Sequence, residues 1–124
     1  MLAQKLKKSF KNQYELAENY YKVLFAYNNI QLTERELQLV AFIAVRGDMS
    51  NAKSKRDFVT LYRTTKATLD NTVSKLKKKK LLQKPNGKVV LIPQLQPDPS
   101  KGFTLIITSD VEQRGTGEDN ELPI

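Results

Sequence analysis

Residues 65–82 read TKATLDNTVSKLKKKKLL, and residues 84–88 read KPNGK. Leu69, Val73 and Leu76 recur at steps of four and three, the period of one helical face. The stretch from Lys66 to about Lys80 therefore predicts an amphipathic helix. Thr65 stands where an N-cap hydroxyl takes a backbone N–H of the first turn. Asn86-Gly87 is the strongest short hairpin signal, because both residue types accept the positive φ of a type I′ turn. Val89 to Ile92 continues as a strand rich in β-branched residues. A lysine-ended helix running straight into a hairpin directs attention to what precedes it.

Immediately upstream, Ser54 can cap a short helix carrying Phe58, Leu61 and Tyr62, and Arg63-Thr64-Thr65 forms a tight connection. Before that, Thr33 and Glu36 make a capping-box pattern, with Glu34 and Glu36 suited to the positive end of the helix dipole. Leu37, Val40, Ala41, Ile43, Ala44 and Val45 give that helix a broad apolar face, and Gly47 stops it. Asp48 to Ala52 reads as a loop. At the start of the chain, Leu2, Leu6, Phe10, Tyr14, Ala17, Tyr21, Leu24 and Tyr27 form one helical stripe, ended by Asn28 and Asn29. The stripe predicts a helix of about 25 residues, roughly 37 Å long. It either lies back across its own domain or pairs with a second copy in a homodimer.

Downstream, Pro93, Pro97 and Pro99 predict an extended crossing, and Phe103 to Thr108 a third strand. From Ser109 the chain turns acidic and carries Gly115 and Gly117, which predicts a loosely ordered tail. The predicted organisation is thus an N-terminal helix over 1–29, a core domain over 30–108, and the tail over 109–124. The fold class is α+β: a three-helix core and a hairpin, with a long first helix and an extra C-terminal strand.

Composition narrows the chemistry. The 124 residues include neither cysteine nor histidine, so thiolate metal sites, disulfides and Ser-His or Cys-His nucleophiles are ruled out. No catalytic, cofactor or metal residue is expected, and the chain reads as a non-enzyme. The longest apolar window, Leu39 to Val45, is seven residues, where a membrane span needs about 20. With no secretory signal apparent, a cytoplasmic or nucleoid-associated protein without membrane contact is expected, or a virion protein if it serves as an adaptor there. The net charge of +8 is concentrated: residues 53–88 carry twelve Lys/Arg against Asp57 and Asp70, a local +10. Residues 1–52 net +2, and residues 89–124 net −4. Such a gradient is expected where one segment faces a polyanion.

Two short helices joined by a tight turn, then a hairpin, is the order of a winged helix-turn-helix. Residues 65–82 resemble the recognition helix of MarR-type winged-helix regulators: Thr65 matches their Ser/Thr cap, and Leu76, Leu81 and Leu82 match their closing Leu-x-x-x-Gly-Leu-[Ile/Leu]. Lys80 stands where those families place glycine. The resemblance is one of fold, over about residues 33–93. In place of the further C-terminal dimerisation helices typical of MarR proteins, this chain has a proline-broken strand and an acidic tail. No ligand pocket or dimer is therefore carried over.

That resemblance implies a DNA-binding protein, acting on transcription, with helix 66–80 in the major groove and the 84–88 wing on the backbone. With Leu69, Val73 and Leu76 inward, the outward stripe holds Lys66, Ala67, Asp70, Asn71, Ser74 and Lys75, with Thr68 flanking. Asn71 suits adenine, Lys66 guanine or a phosphate, and Thr68 a hydroxyl contact or a thymine methyl. Asp70 either accepts from a cytosine or orients a lysine. Lys75 and Lys77, Lys78, Lys79 and Lys80 wrap more than one turn, so only two or three can meet one phosphate row. Lys84, Asn86 and Lys88 mark the wing tip. Lys53, Lys55 and Arg56 open the preceding helix, whose N-terminus itself favours phosphate. Tyr20, Tyr21 and Tyr27 read as packing aromatics, and Glu15 and Glu18 as solvated. The alternative function is a non-catalytic adaptor in a replication, partition or virion assembly, because fold does not determine function. Its elaborated ends would then dock on protein partners.

Overall fold

In the computed structural model, which describes residues 10–105, four helices precede a short hairpin. They are α1 (Gln13–Tyr27), α2 (Glu34–Arg46), α3 (Ala52–Leu61) and α4 (Lys66–Lys78), followed by β1 (Leu82–Gln83) and β2 (Val90–Leu91). Helix α2 is central. Its capping box is complete: the Glu36 N–H donates to the Thr33 hydroxyl at 3.1 Å, and the Thr33 N–H donates to the Glu36 carboxylate at 2.8 Å. Leu39, Val40, Ala41, Phe42 and Ile43 are all buried. Five consecutive buried positions exceed one helical face, which requires cover on several sides. That cover comes from α1, α3, α4 and β2.

Helix α1 is shorter than the apolar stripe predicts. It begins at Gln13 because Asn12 caps it: the Asn12 side chain accepts from the Glu15 N–H at 3.0 Å, while Glu15 accepts from the Lys11 N–H at 3.1 Å. Phe10 precedes the helix, and Leu2 and Leu6 lie outside the described residues. Ala17, Tyr21 and Phe25 are buried on the α2 side. Tyr14 stacks on Phe42 with ring centroids 5.2 Å apart. Burial pushes the Tyr21 phenol well above its usual range, with Tyr20 adding to the shift, so it serves as a hydroxyl donor and bonds the Leu95 carbonyl. Phe103 closes on Tyr20 and Tyr21. Tyr27 departs from its expected packing role and is 66% exposed.

The N-cap of α3 lies three residues before the expected one. Asn51, not Ser54, is the N-cap: its side chain accepts from the Ser54 N–H at 2.7 Å, and Ser54 is buried. Phe58 meets Phe42 edge-on at 5.3 Å. Arg63, at φ +51°, makes the tight turn into α4. Thr65 caps α4 as expected, accepting from the Thr68 N–H at 3.1 Å. Leu69 and Leu76 are fully buried, and Thr72 is buried with its hydroxyl donating to the Thr68 carbonyl at 2.7 Å.

Helix α4 ends at Lys78 rather than Lys80, in a Schellman motif: Leu81 N–H donates to the Leu76 carbonyl, and Lys80 N–H to the Lys77 carbonyl. Lys80 therefore holds the left-handed position, at φ +63°. A side chain there is strained by roughly 1–2 kcal/mol, partly offset in comparison with glycine by the latter's greater freedom when unfolded. Lys80→Gly is expected to stabilise the fold by about 0.5–1 kcal/mol. The check is a urea titration whose midpoint rises with an unchanged slope.

The Asn-Gly turn forms, but the hairpin around it is wider than expected. Asn86 (φ +53°) and Gly87 (φ +79°) occupy the two left-handed positions, and the Lys88 N–H donates to the Pro85 carbonyl at 3.0 Å. The antiparallel register is Leu82 with Leu91 and Gln83 with Val90, so strand pairing stops short of the turn. Val89 is diverted: the Met49 N–H donates to its carbonyl at 3.0 Å, and its own N–H donates to the Ser50 hydroxyl at 2.7 Å. The α2–α3 connection thus takes the bonds a longer ladder would have used. The extra strand is not seen at residues 103–105. An isolated bridge between Asp98 and Gly102 turns the chain there instead. Residues 106–108 and the acidic stretch 109–124 lie outside the described residues. The architecture is α+β, four helices and a two-stranded antiparallel sheet, in a layout consistent with a winged helix.

Candidate nucleic-acid interface

The turn at Arg63 and the Thr65 cap set the start of α4 against α3. With Leu69, Thr72 and Leu76 turned inward, Lys66, Ala67, Asp70, Asn71, Ser74 and Lys75 are exposed and Thr68 is half-buried. The outward surface divides in two. Positions 66, 70, 74 and 77 follow one helical row, and positions 67, 71, 75 and 78 the next. Asp70, Ser74 and Lys77 of the first row border a hollow of about 260 Å³ between α4, α3 and the hairpin. Lys55 from α3, Lys77 from α4 and Lys84 from the hairpin line it, with Asp70 and Ser74, over an apolar floor that includes Leu69 and Val89. A second hollow of about 320 Å³ adjoins it, lined by Lys55, Arg56 and Lys66 around Ala52 and Val59. Lys55 belongs to both. Cations from three separate elements therefore border adjoining concavities.

The remaining predicted residues fall elsewhere. Lys75, Lys78, Asn86 and Lys88 are exposed but line neither hollow, and Asn71 stands on the second row. The Thr65 and Thr68 hydroxyls bond one another at 3.1 Å as part of the cap. Lys53 reaches Asp57 at 3.0 Å, and Arg46 reaches the same carboxylate at 2.8 Å. Arg46, with Lys53 in support, holds the Asp57 carboxyl below its usual range.

Lys79 requires a correction. Rather than facing a phosphate row, its ammonium donates to Glu36 at 2.8 Å and to the Gln31 carbonyl at 3.2 Å. Glu36 is only 2% exposed, so Lys79 pairs with a buried carboxylate that also completes the α2 capping box. Positions 69, 72, 76 and 79 follow one inward row, on which a lysine needs an acidic partner. Burial pushes the Glu36 carboxyl up, but the Lys79 ammonium and the Thr33 donors outweigh it and hold the pKa below the usual carboxylate range. A folded pKa below the unfolded one contributes stability that is full above the ordinary carboxylate value and is lost as pH falls through the lowered one. Lys79→Met is expected to cost roughly 1–2 kcal/mol near neutral pH, discounted for the partial exposure of the lysine. Denaturant midpoints across pH should show that cost shrinking as acid neutralises Glu36.

Phe25, Ile30, Leu32 and Leu37 line an open groove of about 760 Å³ beside α1. Glu15, Glu18 and Glu34 line its neighbour. Burial raises the Glu18 carboxyl against the Tyr62 hydroxyl bond that lowers it, and Glu15 and Glu34 raise it further. Among the described residues, no group of acidic side chains is arranged to hold a metal, and no helix is long and apolar enough to cross a membrane. Comparison with protein-family models, curated proteins and solved structures finds no match to this chain.

Proposed function

We propose that this is a winged-helix protein that binds double-stranded DNA through α4 and the hairpin, regulates transcription and performs no catalysis. One observation carries the reading: Lys55, Arg56, Lys66, Lys77 and Lys84, drawn from α3, α4 and the hairpin, border two hollows joined at Lys55. Lysine and arginine side chains lining concave surfaces next to an exposed polar helix row suit a phosphate backbone flanking a groove. The Met49–Val89 bond supports the wing assignment, because it ties the hairpin to the helical core and holds its orientation.

Fluorescence anisotropy on a random-sequence duplex tests this. About five phosphate contacts should make log affinity fall with log salt at a slope of roughly −4.5. Absence of binding at low salt, or binding with no salt slope, contradicts the proposal.

A second reading, a non-catalytic adaptor within a larger assembly, is favoured by the α1–α2 groove and its three flanking glutamates. It predicts salt-insensitive retention of a protein partner and indifference to reversal of Lys77.

A further inference from the structure

Lys66 and Asp70 form an ion pair across one turn of α4, Nζ to Oδ2 at 3.2 Å, with Lys66 73% and Asp70 52% exposed. Lys66 lines one hollow and Asp70 the other, so the pair sits on the ridge between them. Asp70 is the sole acid between Asp57 and Asp98. An exposed pair of this kind contributes little to stability. A carboxylate on a phosphate-facing ridge also weakens attraction to any polyanion.

We infer that Lys66 and Asp70 act as one reading unit for a single G·C base pair in the major groove, an inference that rests on the DNA-binding proposal above. The pair presents a donor and an acceptor side by side. A G·C pair presents the complement: the guanine O6 and N7 acceptors lie next to the cytosine N4 amino donor, with N4 and O6 separated by the ordinary hydrogen-bond distance of about 2.9 Å. Placed edge to edge, the Lys66 ammonium donates to O6 and N7 while the Asp70 carboxylate accepts from N4. The spacing of the protein pair matches that of the base pair. An A·T pair fits less well. It offers the ammonium one acceptor, thymine O4, beside a methyl group, and the adenine N7 lies on the far side of the amino donor.

Selection of bound duplexes from a random library, with the full chain and its Asp70→Ala and Lys66→Met variants, tests the inference. Both residues are exposed, and matching circular dichroism and melting curves will establish that the variants fold. Wild-type protein should enrich one invariant G·C position, and changing it to A·T should weaken binding about 5- to 150-fold. Asp70→Ala should bind random duplex more tightly than wild type and lose the G·C preference. Lys66→Met should lose the same preference while binding more weakly. Salt-dependent wild-type binding with no fixed G·C position, or an Asp70→Ala variant that keeps the wild-type consensus, overturns this inference alone. Failure of the wild type to retain any duplex at low salt overturns the DNA-binding proposal and this inference with it.

Discussion

Phe42→Ala is expected to cost about 3–5 kcal/mol, enough to lower the melting temperature by roughly 10–20 °C. Phe42 is fully buried on the central helix and gathers three aromatic rings, from α1, α3 and the α3 C-cap, around its own. Tyr14 of α1 stacks on it at 5.2 Å, Phe58 of α3 meets it edge-on at 5.3 Å, and Tyr62 approaches at 6.3 Å. The Arg46 guanidinium lies 5.1 Å from its centroid. Removing the ring leaves a cavity between helices whose backbones are fixed by caps at both ends, so little collapse can refill it. Domains of this size are typically stable by only about 5–15 kcal/mol, which makes the loss a large share. Tyr27→Ala is the contrast. That ring is 66% exposed, and its removal should stay within about 0.5 kcal/mol. Thermal melts followed by circular dichroism will separate the two. Similar melting temperatures would refute the placement of α1 and α3 on either side of Phe42.

The second large effect is on DNA binding. Reversing Lys55, Lys77 and Lys84 to Glu removes cations that line one hollow but come from α3, α4 and the hairpin. Lys77 and Lys84 are exposed and Lys55 is half-buried, and matching circular dichroism spectra will establish that the variant folds. If each meets a phosphate, the salt slope falls by about 2.7, and affinity at 0.1 M salt drops on the order of several hundred-fold. Repulsion from the new carboxylates adds to this. Anisotropy across a salt series reads both quantities, and a triple variant that kept the wild-type slope would contradict the shared surface.

Local signals carried much of this architecture. The Thr33 and Thr65 caps, the Leu69 and Leu76 face and the 63–65 turn are each set by neighbours within four residues, and each appears where expected. The departures arise where distant residues compete. Asn51 and Ser54 are both good caps, and burial of Ser54 inside the first turn decides between them. At the start of α1, the apolar stripe runs on through Asn12, but a satisfied cap ends the helix there regardless of periodicity. Val89 has every local feature of a hairpin strand, yet Ser50 and Met49, some forty residues earlier, take its backbone bonds. Of the candidate interface, the clustering of charge between residues 53 and 88 was legible. The division of α4 into two outward rows and the diversion of Lys79 to Glu36 were not drawn from the lysine run, because they depend on which flank meets α2.

The decisive comparison keeps net charge constant and changes only its location. Lys55, Lys77 and Lys84 reversed to Glu should be measured against Lys11, Lys22 and Lys101 reversed to Glu, all exposed and none lining the basic hollows. Binding of a random duplex at low salt should collapse in the first variant and stay within a few-fold of wild type in the second. Equal losses in both would mean that diffuse positive charge, not a surface shared by α3, α4 and the hairpin, holds the nucleic acid.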